Sequence, residues 1–205
     1  MKNEELRPRK QPRQSRSAAT VEVIIEAATR ILASHGPAGF NTNRVAELAG
    51  VSVGSLYQYF PNKAALIATL IERAQDGLAD ALEVAVTTHW DKPLNAALSA
   101  LVDVAVAHQY NNPLYAAALD DQELRLPLGA IISQPRARMV KIIESLLDRH
   151  RHVLAPRLPA TAAVDCLNIT KSLVESAAVD ASCDTVALKQ RVLRALLGYL
   201  HYLDE

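Results

Sequence analysis

The chain has 205 residues, half of them hydrophobic, with 22 basic and 22 acidic residues. An apolar chain of this length with only seven glycines favours an all-helical protein of one medium-sized domain or two small ones. The sequence contains no apolar run of about 18 residues, so no transmembrane span is predicted. The basic N-terminus lacks the apolar segment of a secretory signal. Two cysteines are too few for a disulfide framework and suit a reducing cytoplasm.

The first sixteen residues predict a basic arm ahead of the first helix. Residues 1–75 carry ten basic and six acidic residues, whereas residues 76–205 carry twelve and sixteen. Most of the basic excess lies in residues 1–16, whose low apolar content predicts a flexible arm. Arg13 and Arg16 could reach DNA phosphates or a minor groove, and the alternative is a solvated tail without that role.

Residues 18–34 predict the first helix, because apolar side chains recur along them at helical spacing. Gly36 and Pro37 are expected to end this helix. Phe40 is expected to pack into the core beneath the helices that follow.

The stretch from Asn41 to Leu66 predicts two short helices joined by a tight turn, with a third helix directly behind. Thr42 is predicted to cap the first of them, and Ser52 the second. Gly50 stands between them, where a left-handed conformation carries no penalty for glycine. Two helices joined by a turn of about three to four residues that contains glycine form a helix-turn-helix. Asn62 is predicted to cap the third helix.

The helix after the turn, Val53 to Phe60, has an inner and an outer surface. Leu56 and Phe60 lie four residues apart and are expected to face inward. The remaining side chains are small, polar or aromatic, and such a surface can enter a DNA major groove while Lys63 beside it meets a phosphate. The outward residues are Ser52, Gly54, Ser55, Tyr57, Gln58 and Tyr59.

The run VSVGSLYQYFPNKAALI resembles the recognition-helix segment of the tetracycline-repressor (TetR/AcrR) family of bacterial regulators. The resemblance extends back through NTNRVAELAG and the preceding helix, over roughly residues 18–70. It implies an all-α protein with an N-terminal three-helix DNA-binding head and a C-terminal helical body for effector binding and dimerisation. The implied domains are a flexible basic arm over 1–16, a helix-turn-helix domain over 17–75, and an effector-binding and dimerisation domain over 76–205.

The resemblance also implies DNA contacts, position by position. Asn43 stands where members of the family often carry Arg. Val53 opens the recognition helix and could meet a thymine methyl, and Lys63 would bind a phosphate. The predicted DNA-binding residues are Thr42, Asn43, Ser52, Val53, Gly54, Ser55, Tyr57, Gln58, Tyr59 and Lys63, with Arg13 and Arg16 from the arm.

Beyond the head, the pattern predicts helices separated by breaks. The helix that begins at Lys63 is long enough to connect a DNA-binding head to a separate body. Pro93 is predicted to be the first residue of the next helix. The other predicted helices cover about residues 114–119, 136–152, 160–179 and 185–203.

The last helix is apolar over a wide arc, which indicates burial on two sides and hence a partner chain. The resemblance implies that the last two helices pair with their two-fold mates as a four-helix bundle. A homodimer also suits double-stranded operator DNA, because paired recognition helices meet half-sites about 34 Å apart.

Aromatic and acidic residues around the predicted breaks could line an effector pocket with apolar walls and a few polar groups. The alternative is ordinary packing beside a solvated acidic face. The candidate ligand-binding residues are Trp90, His108, Tyr110, Tyr115, Asp120 and Asp121. No phosphate-binding glycine loop, metal-ligand spacing or catalytic constellation is visible, so no catalytic residue, metal site or cofactor is predicted.

Together these patterns predict a cytoplasmic, homodimeric DNA-binding transcriptional regulator. The simplest form is a repressor that a small-molecule effector releases from its operator, without a membrane partner. One alternative is an all-helical binding protein or enzyme in which the helix-turn-helix is only structural. Another is a transcriptional activator.

Overall fold

The computed structural model describes residue 6 and residues 15–156, 158–178 and 183–201. Within them the chain forms nine α-helices and no β-strand, which confirms the all-α prediction. None of these helices combines enough length with enough apolar character to cross a membrane. The helices are α1 Ser15–Gly39, α2 Thr42–Leu48, α3 Val53–Tyr59, α4 Lys63–Thr88, α5 Leu94–Tyr110, α6 Pro113–Arg125, α7 Gly129–Arg149, α8 Ala162–Ala178 and α9 Thr185–His201.

The chain divides into two compact units, and the first is built from two separate stretches of sequence. The first unit comprises Met1–Ala74 and Asn112–Ser133, and the second comprises Gln75–Asn111 and Gln134–Glu205. Helices α4 and α7 each begin in the first unit and end in the second. The predicted division after residue 75 therefore falls beside one boundary, but residues 112–133 cluster with the head and not with the body.

The core of the first unit combines the three head helices with α6. Ile24, Leu56 and Phe60 are fully buried, and the predicted core position of Phe40 is confirmed at 4% exposure. Helix α6 belongs here because its Ala118 is buried in the same cluster, so that α6 packs along α1.

Helix α6 is twice as long as the predicted helix over residues 114–119. Asn112 caps it by accepting a hydrogen bond from the Tyr115 amide at 3.2 Å, and Pro113 occupies the first turn. Its outer side exposes Leu114 and Leu124. Asp120 and Asp121, which follow the end of the predicted helix, lie within the observed one.

The end of the first helix agrees with the prediction, whereas the cap of α2 and the arm differ from it. Gly36 has a non-helical φ of 62° and ψ of −172°, so the regular helix of α1 ends there as predicted, and a short helical stretch follows as far as Gly39. Asn41, not Thr42, caps α2, since its side chain accepts a bond from the Asn43 amide at 2.8 Å. Leu6, within the stretch predicted as a flexible arm, is only 1% exposed and belongs to the core of the first unit.

In the second unit, α5, α8 and α9 pack against one another, together with the second-unit parts of α4 and α7. Pro93 is the N-cap of α5 and not its first helical residue. Helix α7 was predicted to begin at Arg136, but it begins at Gly129 and contains Pro135. A proline inside a helix loses one backbone hydrogen bond. Here its ring is buried, and the helix continues through it.

Helix α9 places its leucines in two different settings. Leu196 and Leu200 are buried in the core of their own chain, at 3% and 0% exposure. Leu193 and Leu197 are only partly buried, and Val186 on the same side of the helix is 61% exposed. The wide apolar arc therefore divides into a stripe that the chain covers itself and a stripe that it leaves partly open. The predicted last residues of α8 and α9, Val179 and Leu203, lie outside the described part of the chain.

Candidate nucleic-acid interface

Helices α2 and α3 form the predicted helix-turn-helix, and backbone hydrogen bonds define the turn. Gly50 adopts a φ of 67°, which confirms its predicted left-handed conformation. The Gly50 amide donates to the Glu47 carbonyl at 3.1 Å and the Val51 amide to the Ala46 carbonyl at 3.0 Å. This pair of bonds is a Schellman motif, which satisfies the last carbonyls of α2 and turns the chain towards α3.

Ser52 starts α3, as predicted. Its Oγ accepts a hydrogen bond from the Ser55 amide at 3.0 Å and lies 2.8 Å from the Ser55 hydroxyl. Leu56 and Phe60 are both fully buried, so the inner side of the helix is anchored in the head core. The opposite side of α3 is thereby held facing outward.

Most of the residues that were predicted to face outward from α3 are exposed. Val53 is 37% exposed and Tyr57 is 40% exposed. Ser52, Gly54 and Gln58 are also exposed. Two predicted members are less accessible, since Ser55 is half-buried beside the cap and Tyr59 packs partly against the head core.

The two helices are joined on this outward side by a pair of hydroxyl groups. Thr42 Oγ1 in α2 lies 3.1 Å from Tyr57 Oη in α3, within hydrogen-bond distance. Asn43 is exposed beside Thr42. The start of α2 and the middle of α3 are therefore brought together, as a shared DNA surface requires.

Arg44 is an exposed cation of α2 that does not figure among the predicted DNA contacts. Among the described residues it forms no ion pair, unlike Arg30 and Arg73, which pair with Glu26 and Glu22. The sequence could have indicated this exposure, because Arg44 directly precedes Val45 and Ala46, which both face inward. A polar residue beside such a pair lies on the outer side of a short helix.

Lys63, predicted to bind a phosphate, has partners inside the head. Its Nζ donates a hydrogen bond to the Phe40 carbonyl at 3.0 Å and lies 5.3 Å from the centre of the Phe40 ring. Asn62 caps α4 as predicted, accepting from the Ala65 amide at 2.7 Å. Of the two predicted arm residues, Arg13 lies outside the described residues, and Arg16 falls in the first turn of α1.

The candidate ligand-binding residues are divided between the two units. Tyr115, Asp120 and Asp121 lie in the first unit, and Trp90, His108 and Tyr110 lie in the second. Burial raises the pKa of Tyr115, and a hydrogen bond with Thr29 partly offsets this. Arg125, 2.8 Å away, lowers the pKa of Asp121. Neither unit by itself gathers the six residues into one pocket.

A surface groove of about 390 Å³ lies in the second unit, between α4 and α7. Arg138 in this groove forms ion pairs with Asp80 and Glu83. None of the predicted ligand residues lines it. The lining residues are Asp80, Glu83, Val84, Thr87, Thr88 and Arg138.

Comparison with known proteins identifies two matching family models. The model described as "Bacterial regulatory proteins, tetR family" matches residues 24–70, and the model described as "Tetracyclin repressor-like, C-terminal domain" matches residues 93–200. No curated protein sequence matches the chain significantly.

Solved structures with the same fold include several regulators. A putative TetR-family transcriptional regulator from Mesorhizobium loti is 20% identical, with a TM-score of 0.73 over 92% of this chain and 100% of that one. The fatty acid degradation regulator FadR from Bacillus halodurans is 22% identical, with a TM-score of 0.68 over 88% and 99%. SmeT, the repressor of the Stenotrophomonas maltophilia multidrug efflux pump SmeDEF, is 21% identical, with a TM-score of 0.66 over 89% and 92%.

Proposed function

We propose that this protein, which belongs to the tetR family of bacterial regulatory proteins, is a dimeric transcriptional repressor that a small molecule releases from its operator. The observation that carries the proposal is the outward side of α3. Its inner residues are locked in the core, while Val53, Tyr57 and Gln58 stand exposed at the head surface. A three-helix unit with only a structural role needs the buried inner residues but not the exposed side chains of Val53, Tyr57 and Gln58.

We assign the DNA contacts by where each side chain lies. Val53 and Gln58 are placed at base edges, where an apolar side chain can meet a thymine methyl and an amide can bond adenine. The Thr42–Tyr57 hydroxyl pair is assigned to a phosphate, since one hydroxyl donates to the other and the remaining O–H can donate to an anionic oxygen. Arg44 is added as a phosphate contact on the strength of its exposure. The roles of Arg13 and Arg16 in the arm remain part of the proposal.

The proposed dimer uses the partly open apolar stripe of α9. Val186, Leu193 and Leu197 are seven and four residues apart and therefore fall on one side of the helix. A two-fold partner that covers this stripe would bring two heads to half-sites about one helical turn of DNA, 34 Å, or a multiple of it apart. Double-stranded operator DNA and a second copy of the chain are thus the proposed macromolecular partners, in the cytoplasm.

The proposed effector is a modest-sized, largely apolar molecule that binds the body. Among the structures with the same fold, SmeT represses a multidrug efflux pump and FadR regulates fatty acid degradation, and the long chains of fatty acids are apolar. The effector must bind the DNA-incompetent state more tightly, because equal affinity for both states shifts nothing. Helix α4, which runs from the head unit into the second unit, offers a continuous connection for that coupling.

The proposal is tested by selecting duplexes from a random-sequence pool with the purified protein. We expect enrichment of a two-fold symmetric sequence, with affinity that falls steeply as salt rises. If the helix-turn-helix is only structural, repeated rounds will enrich no sequence. That outcome would exclude the proposed function.

Gln58→Ala is expected to relax sequence preference at one position of the selected duplex. Loss of one good base contact weakens binding by about 1–3 kcal/mol, and only for duplexes with the preferred base. Ser55→Ala should act similarly, but it also removes a hydroxyl 2.8 Å from the Ser52 cap, so Gln58 is the cleaner position. The measurement is affinity for a panel of single-base variants of the duplex. Gln134→Ala, exposed on α7, is the control.

A further inference from the structure

We infer that Gly54 determines how closely the recognition helix approaches the base edges of the major groove, because it carries no side chain at that point. This inference rests on the proposed DNA-binding function and deepens it. The DNA contacts assigned above are made by side chains, whereas Gly54 acts through the absence of one.

The fold itself gives no reason for a glycine at position 54. Gly54 lies in the first turn of α3 and does not adopt the positive φ of Gly36 and Gly50. A Cβ at position 54 would lie 3.8 Å from the Ser52 Oγ, an ordinary van der Waals distance, and no other described side chain beyond the chain neighbours lies within 4 Å. A glycine in a helix is less favourable than an alanine, so the stability of α3 alone would favour alanine here.

The position of Gly54 on α3 indicates what the missing side chain serves. Gly54 is exposed, and Gln58, four residues later on the same side of the helix, is exposed as well. Val53 and Tyr57 are the other exposed residues beside it. Gly54 is therefore the smallest residue among larger outward side chains, and glycine is the residue that lets a backbone approach a ligand closely.

A close approach matters because base contacts require short distances. The major groove is about 12 Å wide, and an α-helix with its side chains is about 10–12 Å across, so the fit leaves little spare room. A hydrogen bond of the kind assigned to Gln58 weakens when donor and acceptor lie more than about 3.2 Å apart. A methyl group at position 54 should hold α3 away from the bases and weaken this contact.

Gly54→Ala is expected to have two effects of opposite sign. The thermal midpoint of the free protein should rise by about 1–3 °C, because alanine favours the helix. Affinity for the selected duplex should fall about tenfold, as for the loss of a base contact. Affinity for a scrambled duplex of the same length should not change, since non-specific binding depends on the phosphates. Calorimetry and fluorescence anisotropy measure these effects.

Gly77→Ala is the matched control. Gly77 is an exposed glycine of α4, and within the described part of the chain a Cβ there would meet nothing within 4 Å. This substitution should raise the thermal midpoint by a similar amount and leave the affinity for both duplexes unchanged. Gly54→Leu adds a larger side chain that still favours a helix, so affinity for the selected duplex should fall further, by about 100-fold.

A double variant tests the link between Gly54 and Gln58. If the methyl group already weakens the Gln58 contact, the effects of Gly54→Ala and Gln58→Ala on affinity for the selected duplex should be less than additive. Fully additive effects would contradict the inference.

The measurements separate failure of this inference from failure of the proposed function. If Gly54→Ala binds the selected duplex as tightly as the wild type, the inference is wrong although the protein binds DNA. If Gly54→Ala lowers the thermal midpoint and the affinity for both duplexes together, the glycine has a structural role and the inference is also wrong. A wild type that selects no duplex overturns the proposed function, and this inference with it.

Discussion

Replacing Leu193 and Leu197 together by glutamate is expected to convert a dimer into a folded monomer that has lost most of its operator affinity. Both side chains are only partly covered by their own chain. Charged side chains at these positions should therefore disrupt the contact with the partner chain more than they disrupt folding. Two linked heads bind about 100- to 10,000-fold more tightly than one, and this factor is what the monomer loses. Sedimentation velocity and duplex affinity measure the two effects.

The matched control is Ala187→Glu on the same helix. Ala187 is exposed and, at about 100° per residue, lies well around the helix from the leucine stripe. It should leave both assembly and affinity intact. Charges at Leu196 or Leu200, which belong to the same apolar arc of the last helix, should instead unfold the chain, since both are buried in its own core. A wild-type monomer at micromolar concentration would contradict the dimer.

Ala118→Asp in α6 is expected to destabilise the DNA-binding head. Ala118 is 1% exposed in the core that it shares with α1, and an unpaired carboxylate there costs about 3 kcal/mol or more. Duplex affinity should fall with the folded fraction of the head, although α6 lies outside residues 24–70 of the matched helix-turn-helix family model. Urea unfolding followed by far-UV circular dichroism, alongside duplex binding, measures the loss.

Ala117→Asp is the control, because Ala117 is exposed on the same helix and the substitution adds the same charge. Its stability should stay within about 0.5 kcal/mol of the wild type. Equal effects at residues 117 and 118 would mean that α6 does not share the head core. A head that remained stable in Ala118→Asp would mean the same.

The sequence predicted those parts of the fold that are determined by residues close together in the chain. Gly50 confers the left-handed turn, and Ser52 and Asn62 accept amides only three residues ahead, so each signal acts within one helical turn. The inward spacing of Leu56 and Phe60 orients α3 for the same reason. Local signals of this kind survive in almost any tertiary context.

The features that the sequence missed depend on residues far apart in the chain. Ala118 meets α1 across some ninety positions, and no periodicity within α6 reveals which helix it will cover. Lys63 is 23 residues from the carbonyl it bonds. Pro135 signals a helix break by its local chemistry, yet burial of its ring accompanies an unbroken helix. Tertiary packing decided each of these cases.

Because the first unit is built from two separate stretches of sequence, its parts are synthesised at different times. Residues 75–111 are synthesised after the three head helices and before α6. The core of the first unit therefore cannot be completed until α6 has been synthesised. At about 5–20 residues per second this wait lasts on the order of seconds. During it, the apolar surface of α1 that later receives Ala118 and Leu119 stays available to chaperones. The DNA-binding unit, although its helix-turn-helix is encoded first, therefore cannot complete its core until residues 112–133 have been made.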